Sequence, residues 1–152
     1  GYCNGSISST FFSFVSGVLV RKEDDERKDH FNTLVAGLKT FSDELEKTSG
    51  PTFLPEAQLS NVDLSLIPWA FRFYVLEHYR GKDFAIPYEL TTYHSWFDQV
   101  MNLESVKKTL PDKDRYLEHI YKYADGSARS KVANAVRRGV AAHELDDDKD
   151  DY

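Results

Sequence analysis

The stretch from Leu59 to Tyr74 constrains the fold of this chain more than any other. Ser60 and Asp63 have the S-x-x-D spacing of a capping box, in which the serine oxygen accepts from the amide three residues on and the carboxylate accepts from the serine amide. Leu59 and Leu64 stand at the two positions of a hydrophobic staple, which would fix the entry angle of the chain. The following residues are apolar on nearly every side, unlike those of a surface helix. The stretch therefore predicts a central buried helix.

Hydrophobic spacing predicts further helices and no convincing strand. The β-branched run at 11–20 could also form a strand, but its length and its capping residues favour a helix. Pro68 lies inside the central helix and removes one backbone hydrogen bond, at a cost of roughly 3 kcal/mol, so we expect a kink there and not an end. The predicted helices cover residues 6–20, 31–45, 60–80, 87–103, 104–109, 112–124 and 128–138. The fold class is all-α, a helical bundle of about seven helices with no β-sheet.

Residue type alone predicts four further placements. Phe53 and Leu54 are adjacent large apolar residues in a connection, so both are expected to dock inward. Trp96 is expected at the border of the buried face of its helix. The charged cluster at residues 21–28 is expected to form the solvated junction between the first two helices. Asp112 or Asp114 is expected to cap the helix that ends at residue 124.

Length and charge indicate one domain with an acidic tail. A chain of 152 residues can bury roughly 68–70% of its unfolded surface, enough for a single core. Residues 144–151 hold six acidic residues and one lysine, so this segment carries −5 of the net charge of −6. We therefore expect a helical domain at residues 1–142 and a disordered tail at residues 143–152. The nearly neutral body lacks the basic stripe of a nucleic-acid-binding surface.

Few residues have the spacing of catalytic or metal-binding groups. The five histidines show no i, i+4 pairing, which argues against a metal site. Phosphate-binding loops, G-x-S-x-G and C-x-x-C motifs are absent from the sequence. Cys3 has no neighbour that would lower its pKa and is expected to be inert. The single cysteine and the absence of a long apolar run or signal peptide predict a soluble, cytoplasmic protein without membrane partners.

Arg72 is the most informative polar residue. It lies one turn after Trp69 in a segment that is expected to be buried, so its guanidinium must be paired, stacked on an aromatic ring or open to a cleft. A structural ion pair or a side chain that reaches solvent at the domain edge is the alternative to a ligand-binding role. A later helix offers a possible second wall of such a cleft, although ordinary core and surface tyrosines also explain its pattern. That group comprises Arg115, Tyr116, Tyr121 and Tyr123.

Several of these motifs together resemble a known family. They are Phe53-Leu54, Leu59-Ser60-x-x-Asp63, Pro68-Trp69-x-x-Arg72, Trp96-Phe97 and Ser105-Val106-Lys107. In this order they look like the all-α C-terminal domain of cytosolic glutathione transferases, most like the omega class. The resemblance covers roughly residues 8–125. It implies that a thioredoxin-like domain precedes this one and holds the glutathione site, and nothing in this chain matches that domain.

The resemblance also implies which residues line a pocket for a small hydrophobic or disulfide co-substrate. Arg72 stands where omega-like members have a pocket arginine, next to Trp69. Tyr121 and Arg115 lie near the family's aromatic pocket positions, and Phe14 and Val18 are expected floor residues of the first helix. The resemblance implies glutathione as co-substrate of the full-length protein, no cofactor held by this chain alone, and a homodimer that uses the first two helices.

Two functions follow as hypotheses. In the first, the chain is the pocket-forming and dimerising half of an omega-like glutathione transferase or thiol transferase, with no catalytic residue of its own. In the second, it is a non-catalytic interaction module, because similar helical domains serve as docking units in translation-factor and synthetase complexes. The upstream sequence would discriminate between them, since only the first hypothesis requires a thioredoxin-like domain there.

Overall fold

The computed structural model describes residues 14–138, except for the side chains of residues 57, 131, 132, 136 and 137. Every regular element in this range is helical, which confirms the all-α class. The α-helices are α1 (14–20), α2 (Asp24–Glu46), α3 (Asn61–Arg72), α4 (Tyr74–Arg80), α5 (Thr91–Met101), α6 (Glu104–Lys107), α7 (Lys113–Ala124) and α8 (Lys131–Arg138). Short 3-10 turns lie at Pro55–Ala57 and Lys82–Phe84. The expected acidic tail and Cys3 lie outside the described residues.

The capping box at the start of α3 is confirmed. Ser60 Oγ accepts hydrogen bonds from the amides of Val62 and Asp63 at 3.2 and 3.3 Å, and Asp63 Oδ2 accepts from the Ser60 amide at 2.8 Å. Leu59 packs against the core, but Leu64 is 52% exposed. The capping box therefore fixes the first turn of α3. The hydrophobic staple contributes little, because Leu64 is not buried.

Trp96 is buried and ties α5 to the start of α3. Its indole Nε1 donates to Asp63 Oδ1 at 2.8 Å, while Ser60 Oγ donates to Asp63 Oδ2 at 2.8 Å. The ring of Phe41, on α2, packs edge-on against Trp96 with centroids 4.8 Å apart. Trp96 is only 1% exposed, so its predicted place at the border of the core was wrong. One fully buried carboxylate thus serves both a local cap and a contact between helices.

The central helix is interrupted, but not at its proline. α3 runs through the exposed Pro68 to Arg72, and Phe73 forms a turn before α4 begins. The amide of Phe73 donates to the Ala70 carbonyl three residues back, which tightens the backbone at this point. The prediction of one helix from 60 to 80 was therefore wrong at residue 73. Gly81, with φ of 92°, ends α4 as expected.

Other boundaries and placements also differ from the predictions. α2 begins at Asp24, so most of the charged cluster belongs to its first turns and the junction after α1 is short. α5 begins at Thr91, because the chain from Pro87 to Leu90 forms a turn. Phe53 packs edge-on against Phe41, with centroids 5.3 Å apart, whereas Leu54 is 39% exposed.

Asp112 caps α7 by accepting from the Arg115 amide at 2.9 Å, which confirms one of the two predicted caps.

Replacing Gly17 by alanine should destabilise the protein, because α1 approaches His30 of α2 very closely at this position. A Cβ atom at Gly17 would lie 2.5 Å from His30 Cγ and Cδ2. The His30 ring would have to shift, and its contact with Phe14, at a centroid distance of 6.4 Å, could change with it. We expect Gly17→Ala to lower the free energy of unfolding by about 1–3 kcal/mol, measured by urea denaturation.

The matched control removes the clashing ring. In a His30→Ala background, Gly17→Ala should cost little, since the space is then open and alanine is the better helix former by about 1 kcal/mol. An equal cost of Gly17→Ala in both backgrounds would contradict the predicted clash.

Candidate functional site

A cleft of about 330 Å³ lies between α1, α3, α7 and α8. Its walls are mainly apolar, with an arginine, a histidine and two tyrosines among the polar groups. The described lining residues are Val15, Ser16, Leu19, Val20, Trp69, Arg72, Tyr116, His119, Ile120, Tyr123 and Ala133. This combination of an apolar surface and a few polar groups is typical of sites for small molecules.

Arg72 lies in the wall of this cleft. Its Nε donates to the Tyr116 hydroxyl at 2.8 Å, and its Nη1 donates to the Pro68 carbonyl at 2.6 Å. The guanidinium carbon lies 5.3 Å from the ring centroid of Tyr116 and 5.6 Å from that of Trp69. Within residues 14–138, the ion pairs do not include Arg72. The guanidinium therefore lies against two aromatic rings and lines the cleft. Within this part of the chain, no carboxylate forms the ion pair that was the alternative.

Tyr116 keeps its proton at neutral pH. Burial raises the pKa of its phenol, and the neighbouring Arg72 only partly offsets this rise. Because its oxygen accepts the hydrogen bond from Arg72, its own O–H can still donate to another group. Arg72 and Tyr116 together thus present a cation and a neutral donor on one wall of the cleft.

Two tyrosines of α4 hold α7 in position. The Tyr74 hydroxyl donates to the Lys113 carbonyl at 3.1 Å, and the Tyr79 hydroxyl donates to the Leu117 carbonyl at 2.6 Å. Burial, followed by the charges of neighbouring groups, raises the pKa of Tyr74 to about 12. Both phenols therefore remain donors at neutral pH. Their hydrogen bonds hold α7 against α4.

Arg80 connects the ends of α1 and α7, two of the helices that line the cleft. Its Nε donates to the Val18 carbonyl at 3.3 Å, and its Nη2 donates to the carbonyls of Leu19 and, at 2.9 Å, of Ala124. Burial lowers the pKa of Arg80, and the nearby Arg27 lowers it further. A partly buried guanidinium thus satisfies terminal carbonyls of α1 and α7 at once. This role of Arg80 could not be predicted from the sequence, because the carbonyls that it binds are far away along the chain.

The structure brings together some of the predicted pocket residues and not others. Trp69 and Arg72 line the cleft, as the resemblance implied. Tyr121 is 57% exposed and Arg115 is exposed, so neither faces the cleft. The face of α7 that lines it carries Tyr116, His119, Ile120 and Tyr123, at the spacing of one helical face.

The first helix shows a similar shift of one residue. Val18 is fully buried in the core and Phe14 packs against the core, instead of forming the floor of the cleft. The neighbouring Val15 and Leu19 line the cleft instead. On both helices the correct element was identified, but hydrophobic spacing alone did not fix which side of it faces the cleft.

A second cleft, of about 260 Å³, lies between the C-terminal end of α2 and the N-terminal end of α5. Its acidic residue, Glu46, already accepts a hydrogen bond from Thr92 at 2.5 Å. The cleft lacks the combination of aromatic walls and an available cation that distinguishes the first one. We therefore regard the cleft at Arg72 as the candidate site.

The described part of the chain lacks metal-binding clusters and membrane-spanning helices. It contains no cluster of three or more His, Cys, Asp or Glu side chains that could hold a metal ion. Its helices include none with the length and apolar character required to cross a membrane. The chain matches no protein-family model, and no curated protein or solved structure shows significant similarity to it. The geometry of the cleft therefore carries the functional argument.

Proposed function

We propose that this chain is the co-substrate-pocket and dimerisation half of an omega-like glutathione transferase or glutathione-dependent thiol transferase. In this proposal the bundle is a glutathione-transferase C-terminal-like domain that does not catalyse by itself. A thioredoxin-like domain of the full-length protein holds glutathione, and the thiolate of the bound glutathione is the reacting group. The cleft at Arg72 holds the second substrate beside it, and α1 and α2 contribute to a homodimer.

The observation that carries the proposal is the position of Arg72. The pattern Pro68-Trp69-x-x-Arg72, on which the resemblance rests, puts its tryptophan and its arginine in the wall of the largely apolar cleft. A cleft of about 330 Å³ is at the lower end of the usual range for small-molecule sites, roughly 300–1,000 Å³. The walls suit a small hydrophobic substrate, while Arg72 and Tyr116 supply polar contacts that orient it.

The proposal predicts a defect in substrate use when Arg72 is replaced by alanine in the full-length protein. We expect the KM for the second substrate in a glutathione-dependent thiol-transfer assay to rise by about tenfold, because a charge-assisted contact is lost. The free energy of unfolding should fall by about 1 kcal/mol, since the hydrogen bond to Tyr116 is also lost.

The matched control is Arg115→Ala, which removes an exposed arginine of α7 outside the cleft. It should leave both the KM and the stability unchanged. If the full-length protein neither binds glutathione nor transfers thiols, the proposal is wrong. Co-purification with translation factors or synthetases, together with an upstream region that lacks a thioredoxin-like pattern, would then favour the non-catalytic interaction module.

A further inference from the structure

The guanidinium of Arg72 has unused hydrogen-bonding capacity. An arginine side chain carries five N–H bonds. The single N–H of Nε donates to the Tyr116 hydroxyl, and one of the two N–H bonds of Nη1 donates to the Pro68 carbonyl. Within the described part of the chain, the remaining three N–H bonds have no acceptor. The two existing bonds fix the orientation of the planar group, so it is ready to bind another group without loss of much conformational freedom.

The positive charge of Arg72 forms no ion pair with a carboxylate of the described residues. The side chain is partly buried, and within residues 14–138 the ion pairs do not include it. A cation that is partly removed from water is stabilised by an anion that supplies hydrogen-bond acceptors. Two parallel N–H bonds of a guanidinium match the two oxygens of a carboxylate.

The composition of the cleft favours an anion with a single charge. Arg72 is the only lysine or arginine among the described lining residues, so a doubly charged phosphate would be only half neutralised. Tyr116 can add one neutral O–H donor beside the guanidinium, which suits a second carboxylate oxygen. The charge and the donors therefore fit a carboxylate better than a phosphate.

The remainder of the cleft fits a flat aromatic body. Trp69 and Tyr116 flank Arg72, and the apolar side chains of Val15, Leu19 and Ile120 complete the walls. Aromatic side chains bind flat rings by stacking and edge-on contacts. The volume of about 330 Å³ accommodates a ligand of one or two rings.

We infer that the cleft binds an aromatic carboxylate, with the ring system against the apolar walls and the carboxylate on Arg72. This inference rests on the proposed function, because it names the class of substrate or ligand for the same cleft. It adds a requirement for a negative charge, which an apolar co-substrate pocket alone does not have.

The test compares two probes of nearly the same shape, 2-naphthoate and 2-naphthamide, of which only the first carries a negative charge and a second acceptor oxygen. Isothermal titration calorimetry of the full-length protein should show that naphthoate binds about tenfold or more tightly than naphthamide. Arg72→Met, which keeps an apolar stem without the charge, should remove this preference. Arg72→Gln is a second neutral variant that still offers a polar group to Tyr116, so either variant that folds provides the answer.

Arg115→Met is the matched control, because it removes an exposed arginine of α7 outside the cleft and should leave the preference intact. Equal binding of the two probes, binding of neither, or a preference that survives the loss of Arg72 would overturn the inference. Glutathione-dependent thiol transfer by the same preparations separates the two proposals. Activity without a charge preference contradicts only the aromatic carboxylate, whereas an Arg72-dependent preference without activity contradicts only the proposed function.

Discussion

Replacing Asp63 by alanine is expected to lower the free energy of unfolding by about 3–5 kcal/mol. The carboxylate is fully buried and accepts hydrogen bonds from the Ser60 amide, the Ser60 hydroxyl and the Trp96 indole. Alanine would leave these buried donors without partners, and their desolvation would no longer be compensated. Since domains of this size are stable by roughly 5–15 kcal/mol, this loss is a large share of the total.

Urea denaturation of Asp63→Ala and of two partner variants would measure this effect. Ser60→Ala removes the cap and the hydroxyl bond to Asp63 but leaves the bond from Trp96, and it should cost about 1 kcal/mol. A double-mutant cycle of Asp63→Ala and Trp96→Phe should give a coupling energy of about 1–3 kcal/mol, because the two residues share a buried hydrogen bond.

The matched control for Asp63 is Asp43→Ala. Asp43 is exposed on α2 and pairs with Lys39 at 3.1 Å, so its loss should change stability by less than about 0.5 kcal/mol. Equal effects of the two aspartate replacements would contradict the role assigned to Asp63 as a contact between α3 and α5.

Arg80→Met is expected to destabilise the protein by about 2–4 kcal/mol and to loosen the two walls of the cleft. The guanidinium donates to carbonyls at the ends of α1 and α7, and methionine would keep the apolar stem but leave these carbonyls without a donor. Hydrogen exchange should speed up more at the C-terminal ends of α1 and α7 than in α5, to whose described residues Arg80 donates no hydrogen bond.

Arg129→Met is the control for this prediction. The exposed Arg129 donates to the Gly126 carbonyl at 2.8 Å, three residues away, so it does not connect distant elements. We expect its loss to change stability by less than about 0.5 kcal/mol. If Arg80→Met were no more destabilising than Arg129→Met, the proposed connection between the cleft walls would be unimportant.

The local elements of the fold could be predicted because their determinants lie close together in the sequence. The Ser60–Asp63 cap and the Asp112 cap each involve atoms three residues apart, so residue type and spacing are sufficient. Gly81 likewise ends α4 through its own backbone conformation. The break at Phe73 was missed, because helical periodicity continues across it and no glycine or proline marks it.

The candidate site could be predicted only in part. Trp69 and Arg72 were identified because a charged residue in an apolar segment is unusual and needs an environment that stabilises it. On α7, tyrosines occur on both sides of the helix, and the sequence does not say which side is turned inward. Tyr116 faces the cleft, whereas Tyr121 is largely exposed.

By itself, the sequence determined the all-α class, the capped start of the central helix and the unusual position of Arg72, a charged residue in an apolar segment. These depend on backbone periodicity and on contacts within one helical turn. Only the tertiary structure decided that Asp63 also binds Trp96, 33 residues away, and that Arg80 joins α1 to α7. Such contacts depend on how helices rotate and pack against one another, and many side-chain arrangements are compatible with the same periodic pattern. The cleft at Arg72 belongs to this second group, because four separate helices line it.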